Sequence, residues 1–481
     1  MSWPRHLVDA AGWSGAIEAL AAGRRTLAGL WGEPGLVHMA THADGEGAIL
    51  STPCPNGAYR SVSAWHAPAI RLERALFDLH GLRPDGALDK RPWLDHGRWT
   101  LRHPLGEALA ATGPVPYPFL ASEGENLHQI PVGPVHAGVI EPGHFRFTAA
   151  GETVVRLEER LGYVHRGLEG RLAGADLDRA AKLAGRASGD STVAYAIAFA
   201  RSAEDALGIE APARAQWLRA LMAELERLAN HLGDIGAICN DAAFSLMHAH
   251  CGALREQVLR AAESAFGHRL MMDRVIPGGV AADITPEGAR GIQALLRHIR
   301  DRLPRLVELY DDTASLQDRT VGTGRVSPEL AARFGAGGFV GRASGRSFDA
   351  RKAFPYAPYD VLNFGIRARE DGDVNARVWI RIEEVRESLG LVEQILDRLP
   401  SPPVHLGPPA GTGEGNALVE SFRGDLFVWL RLAGGRVERA YLRDASWFQW
   451  PLLEAAIENN IVADFPLCNK SFNCSYAGVD L

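Results

Sequence analysis

The sequence predicts an α+β chain in two parts, a small N-terminal α+β domain over residues 1–118 and a mainly helical domain over 119–481. Three observations point there. Residues 1–112 mix one helical stretch with short apolar runs and a passage punctuated by Pro and Gly. Prolines then recur at 114, 116, 118, 131, 134 and 142, and since each fixes φ and lacks an N–H, they mark a linker. Beyond it, apolar residues return over long stretches at helical spacing.

Along the chain, 13–22 reads as a helix and 36–39 as a short apolar run. After the linker, 144–148 and 153–157 flank Ala149-Ala150-Gly151-Glu152 and predict a β-hairpin. The strongest helix signal covers 212–237, where Leu218, Leu221, Met222, Leu225, Leu228, Ala229 and Leu232 recur at i, i+3, i+4, i+7 spacing behind a first-turn Pro212. One broad face of it must be buried. Further helices are predicted over 176–207, 244–266, 286–317 with a kink at Pro304, and 378–398, giving a bundle of long helices with β excursions. No internal repeat is present, which excludes a solenoid.

A chain of 481 residues can fill two or three domains, each with its own core. Its 46% hydrophobic and 23% charged residues are those of a globular protein. No stretch reaches the roughly 18 apolar residues that span a bilayer, so work at a membrane means docking onto one. The opening residues Trp3, Pro4, Arg5, His6 and Asp9 lack the layout of a secretory signal, and the expected compartment is the cytoplasm. Five cysteines, Cys54, Cys239, Cys251, Cys468 and Cys474, are scattered without any C-x-x-C, which argues against a disulfide framework or zinc site and for reduced thiols. A formal charge of −7 with dispersed arginines argues against nucleic acid as a partner.

The chain carries no P-loop, Gly-rich dinucleotide fingerprint, H-E-x-x-H or G-x-S-x-G. What stands out is the polar run Glu141-Pro-Gly-His144-Phe-Arg146, followed by Gly162-Tyr-Val-His165-Arg166-Gly167-Leu-Glu169. Ionisable groups among glycines and apolar neighbours suit a proton-handling cleft, or else loop and cap residues paired with one another. His248 and His250 stand at i and i+2, which point to different faces of a helix, so they are read as structural and not as a metal pair.

Gly133-Pro-Val-His136 through Glu141-Pro-Gly-His144-Phe-Arg-Phe147, then Gly162 to Glu169, resembles the opening of the large subunit of energy-converting, formate-hydrogenlyase-type nickel–iron hydrogenases. The D-type polypeptide of respiratory complex I is the more distant relative. The resemblance continues through Glu224-Leu-Glu-Arg-Leu-Ala-Asn-His231, Ile276-Pro-Gly-Gly279, Arg342-Ala-Ser-Gly345, Gly372-Asp373 with Arg377 and Arg381, and Asp444-Ala-Ser-Trp-Phe-Gln-Trp450. In the first part, Leu72-Glu73-Arg74-Ala-Leu-Phe-Asp78-Leu-His-Gly81 and Arg102-His103-Pro104-Leu105 look like the C-type polypeptide of complex I, which such large subunits carry fused at their N-terminus. The resemblance therefore implies a C-like domain followed by a D-like domain.

The family holds nickel and iron through four thiolates, soft ligands suited to those ions, given as one C-x-x-C near each end of the domain. Here the first pair falls on Ser188 and Ser191 and the histidine after it on Tyr195. The second falls on Ser475 and Gly478, with Cys474 one place early, and the chain stops at Leu481 without the extension that a maturation protease removes from many relatives. By resemblance, then, this chain offers no metal ligands, binds no cofactor of its own and carries no hydrogen chemistry. The vacated pocket is either packed core, with the serines capping helices, or a quinone site as in complex I. For quinone, His144 lies near the family's head-group histidine and Asp241 matches its supporting aspartate, but the expected tyrosine is Gly189, leaving Tyr195 or Tyr163 to substitute.

Glu141 matches the glutamate that relays protons in hydrogenases and Arg423 the arginine that overhangs the metal, so the two read as proton machinery or as an inherited ion pair. Asp190 is a new acid between the former ligands, a candidate proton carrier beside Glu141 or Arg423. The implied role is a scaffold subunit of a membrane-associated redox complex, cradling an iron–sulfur small subunit and passing the effect of electron arrival to antiporter-like membrane subunits, with a ferredoxin-like subunit as a further partner. The implied place is the cytoplasmic side of the inner membrane, peripheral. The alternatives are a quinone-reducing subunit and a non-catalytic assembly protein.

Overall fold

The computed structural model describes residues 3–135 and 140–481; His136, quoted above within a motif, lies outside them. The chain opens with strand β1 (Arg5–Leu7), helix α1 (Ala10–Ala21), strands β2 (Thr26–Glu33), β3 (Leu36–Ala43) and β4 (Glu46–Pro53), and helix α2 (Ile70–His80). The sheet order is β1-β4-β3-β2, with β1 parallel to β4 and the rest antiparallel. Asp44 and Gly45 join β3 to β4 with φ of 49° and 80°, the positive pair that a tight hairpin of right-handed twist requires. Asp9 caps α1 by accepting from the Gly12 N–H at 2.8 Å, and Trp13, Ile17 and Leu20 bury its inner face.

After the proline-rich passage, β5 (Leu127–Val132), β6 (His144–Ala150) and β7 (Thr153–Arg160) form an antiparallel sheet that contains the predicted hairpin. Helices α3 (Leu177–Ala184), α4 (Thr192–Leu207), α5 (Ala213–Asp241), α6 (Ser245–Phe266), α7 (Pro286–Asp312) and α8 (Val374–Asp397) follow. The axis is α5, packed along α6 and α8. Its Leu218, Leu221, Leu225, Leu228 and Leu232 are each 0% exposed. Its polar residues are buried too: Glu224 accepts from Arg351 at 2.8 Å and Tyr359 at 2.7 Å, and His231 Nε2 meets Glu384 at 2.7 Å. Helix α7 runs through Pro304 without a break and ends at Asp312, before a short turn of helix, Ala314–Thr320.

A second antiparallel sheet went unread in the sequence: β8 (Gly413–Ser421), β9 (Gly424–Ala433) and β10 (Arg436–Arg443). Helix α4 covers one face of it, and the N-terminal sheet covers the other. Trp31 of β2 stacks on Tyr441 at 4.8 Å and lies 5.4 Å from Trp429. Arg443 donates to the Ala28 carbonyl at 2.6 Å, and Arg431 reaches both oxygens of Glu33 at 2.7 Å. The two ends of the chain thus share one core. The C-terminus is helical: α9 (Ser446–Ala456), α10 (Phe465–Phe472) and α11 (Ala477–Asp480). Among the described residues no helix is long and apolar enough to cross a membrane.

Candidate functional site

The helix predicted over 176–207 is broken, and the break builds the site. Gly185 ends α3, Ser188 turns extended (φ −143°, ψ 121°), and Gly189–Ser191 form one 3-10 turn before α4. Ser188, Asp190 and Ser191 are thereby presented at the N-terminus of α4. Ser191 makes no side-chain cap; Glu226 of α5 caps instead, accepting from Val193 N at 2.7 Å and Ala194 N at 3.1 Å. Asn230, one turn on, donates to the Asp190 carbonyl at 2.8 Å.

The opposite wall is the β8–β9 turn. Gly424 there has φ +134° and lies so close to Gly338 that an added Cβ would meet its nitrogen at 2.7 Å, so the turn that carries Arg423 accepts only glycine. The third wall is the C-terminal strap. Asn473, at φ 47°, ends α10 and turns Cys474 and Ser475 into the interior. The strap is pinned at its far end: Asp480 accepts from Gly162 N at 2.8 Å and Val164 N at 3.0 Å. Burial pushes the Asp480 carboxyl up to about 7.

These walls meet in one hydrogen-bonded network. Arg423 Nη1 donates to Asp190 Oδ1 at 2.8 Å and to Ser191 Oγ at 3.0 Å, Nη2 pairs closely with Asp190 Oδ2, and Nε donates to the Asn473 carbonyl at 2.6 Å. Ser188 Oγ donates to Asp190 Oδ1 at 2.9 Å and lies 2.8 Å from Ser475 Oγ, which accepts from Gly478 N at 2.9 Å. Behind it, Tyr195 donates to Asp444 Oδ2 at 2.9 Å, and an added Cβ on Gly478 would lie 2.9 Å from that oxygen. Burial and the Asp444 charge both push the Tyr195 phenol well above its ordinary value. Asn473 also donates to Asp234 at 2.9 Å, which in turn accepts from Arg381 at 3.1 Å.

Ser188, Ser191, Ser475 and Gly478 are thus brought together with Arg423, Asp190 and Tyr195. Three expectations need correction. Arg423 pairs with Asp190 and not with Glu141, which is exposed and accepts from Ala477 N at 3.0 Å. Asp190 is held as a carboxylate by its pairing with Arg423: burial would raise it, but the Arg423 charge and hydrogen bonds, with Ser188, keep it below the ordinary range. Tyr195 is 0% exposed and its hydroxyl proton is taken by Asp444, not turned toward an open pocket.

His144 and Asp241 lie apart from this network. His144 meets the Gly133 carbonyl through Nδ1 at 3.1 Å and accepts from Arg146 Nε at 3.3 Å, which fixes a neutral ring. Burial and the Arg146 charge lower its pKa. It lines a cleft of about 1730 Å³ together with Tyr117, Phe119, Arg160, Tyr163 and His165. Asp241 ends α5, where burial raises its carboxyl and Lys470 opposes that shift. Gly189 faces open space, beside a cavity of about 100 Å³ lined by Asp190, Glu226, Asn230 and Arg255. His248 and His250 are exposed, and no group of His, Cys, Asp and Glu among the described residues is arranged to hold a metal.

Sequence reasoning missed Asp444, Ser446 and Asn473. Asp444-Ala-Ser446 stood within a quoted motif, and its Asp-x-Ser spacing is what lets Asp444 accept from Ser446 N at 2.8 Å. Nothing local marks Asn473, whose role is set by contacts across the fold.

Residues 241–410 match the family described as respiratory-chain NADH dehydrogenase, 49 Kd subunit. Formate hydrogenlyase subunit 5 of Escherichia coli (strain K12) is 31% identical over 437 residues, covering 88% of this chain and 77% of that protein. The C/D polypeptide of NADH-quinone oxidoreductase from Phocaeicola vulgatus is 30% identical over 445 residues, covering 86% of each. Among solved structures, a chain of the membrane-bound sulfane sulfur reductase, an archaeal respiratory membrane complex, superposes with a TM-score of 0.70 at 25% identity, over 75% of this chain and 100% of that one. With both ends of the chain folded into a shared core and such relatives covered over most of their length, the chain belongs to the large-subunit family of formate-hydrogenlyase-type hydrogenases and complex I.

Proposed function

We propose that this chain is the scaffold subunit of a membrane-associated redox complex and works without a nickel–iron centre of its own. The observation that carries the reading is the filled pocket. Where the family places four thiolates stand Ser188, Ser191, Ser475 and Gly478, and their hydroxyls are spent on Asp190, Arg423, each other and a backbone N–H. Protonated hydroxyls are hard, weak donors for nickel or low-valent iron. The neighbouring thiol of Cys474 lies against Gln449 and is driven well above its ordinary pKa by burial, the wrong state for a ligand. The donor set does not fit that group.

What remains is a rigid cradle. The partners this reading calls for are an iron–sulfur small subunit, a ferredoxin-like subunit and antiporter-like membrane subunits, with the chain peripheral on the cytoplasmic side. The name of the archaeal relative supports it, since a respiratory complex named for sulfane sulfur reduction uses the same fold. The test is nickel, iron and acid-labile sulfide analysis on the complex purified anaerobically through this subunit. Iron and sulfide without nickel support the reading; stoichiometric nickel overturns it.

A second reading, quinone binding, is favoured by one observation: His144 and Tyr163 line the same cleft, and Tyr163 is 37% exposed. Photolabelling by an azidoquinone at the cleft, lost in Tyr163→Phe and competed by excess quinone, would carry it.

A further inference from the structure

Where the two parts of the chain meet, three elements each send one charged side chain to a common point. Arg71 comes from α2, Glu159 from β7 and Glu454 from α9. Arg71 Nη1 lies 3.1 Å from Glu159 Oε2, and its Nη2 lies 2.7 Å from Glu454 Oε1. The same Glu454 oxygen accepts from the backbone N–H of Glu159 at 2.8 Å. The Glu159 side chain is 0% exposed and its Oε1 has no hydrogen-bond partner among the described residues. Glu454 keeps 24% exposure, which opens the group to solvent on one side only.

We propose that Glu159 and Glu454 form a proton-binding site, two carboxyl groups bridged by Arg71 that hold one proton between them. One guanidinium bonds both carboxylates, and Arg74, the second cation that Glu454 feels, is committed elsewhere. Arg74 is held by Asp89 at 3.1 Å, and Arg91 is divided between Asp89 and Glu158. Four acids, Asp89, Glu158, Glu159 and Glu454, therefore stand against three arginines, Arg71, Arg74 and Arg91. Arg160 bonds the Trp93 carbonyl at 2.6 Å and has Asp78 as its own counter-charge. Toward the interior the groups that feel Glu159 are Cys468, Cys474 and Tyr476, none of them cationic.

An ionised Glu159 would leave a charged oxygen in the interior with no donor, a state far costlier than a neutral carboxyl. Burial first, then the Glu454 charge, drives Glu159 well above the ordinary carboxyl range, and Arg71 only partly opposes this. The proton belongs to the pair, with Glu159 as its buried seat and Glu454 as its way in. The site rests on the chain's own charges and is independent of whether any metal is bound.

Infrared spectroscopy of the purified chain tests this through the C=O stretch of un-ionised carboxyl groups. The wild-type minus Glu159→Gln difference at neutral pH is expected to show one such band, bleaching as pH rises, whereas Glu158→Gln leaves it intact. Glu454→Gln removes the like charge and is expected to move the bleaching down by about one pH unit or more. No band in the first difference overturns the proposal. Should Glu159→Gln not fold, an unmoved titration in Glu454→Gln overturns it equally.

Discussion

Arg423, on the β8–β9 turn, grips both carboxylate oxygens of Asp190, a residue 233 positions earlier in the chain. The arginine side chain is 3% exposed and the aspartate 37%. This asymmetry decides which half of the pair is dangerous to remove.

Asp190→Asn strands a buried guanidinium and is expected to cost about 3 kcal/mol, the low end for breaking a buried pair because Asp190 is partly solvated. Arg423→Met leaves a carboxylate that water can reach and should cost less. The double variant should recover part of the loss. Denaturant unfolding of the four proteins measures the coupling; additive losses would mean the pair does not act as one unit.

Trp31 is 4% exposed between the two sheets. Trp31→Ala is expected to cost about 3–5 kcal/mol as a cavity at the sheet–sheet junction. Because that junction is core for both ends of the chain, unfolding should stay a single transition by tryptophan fluorescence and circular dichroism. Two separated transitions would show that the ends are energetically independent.

Buried imidazoles set an acid limit. Burial lowers His42 to about 3, and His80 and His96 to about 4 each, from 6.5. Each folded-state value lies below the unfolded one, so below 6.5 the unfolded chain takes up protons that the folded chain refuses. Stability is therefore full above about 6.5 and falls as pH drops toward 4. Melting temperature against pH should show this slope, and His42→Phe, which keeps an aromatic ring against Phe348 at 5.1 Å, should flatten it. An unchanged slope in that variant would clear His42 of any part.

The long helices were legible because amphipathic spacing survives in α5, even though its Glu224 and His231 turned out to be buried and paired. The β8–β10 sheet was not legible, and the reason is physical. Covered on both faces, β9 buries Leu426, Phe427, Val428, Trp429 and Leu430 in succession, so no alternation marks it as a strand. The Gly434-Gly435 turn, at φ 57° and 77°, was the available signal. In the site, resemblance singled out Ser188, Ser191, Ser475, Gly478 and Arg423 as candidates, but partner choice is a matter of distance across the fold. By sequence Arg423 has two candidate acids, Glu141 and Asp190, and it is the break between α3 and α4 that brings Asp190 to it.

The strap that carries Ser475 has a consequence in time. Ser188 leaves the ribosome 287 residues before the hydroxyl it bonds, and Arg423 waits for Asn473. Until residues 473–475 are made, Ser188 lacks its partner hydroxyl and Arg423 lacks the Asn473 carbonyl. The network can therefore close only once Asn473 and Ser475 are in place, which makes it a long-range contact of high closure cost.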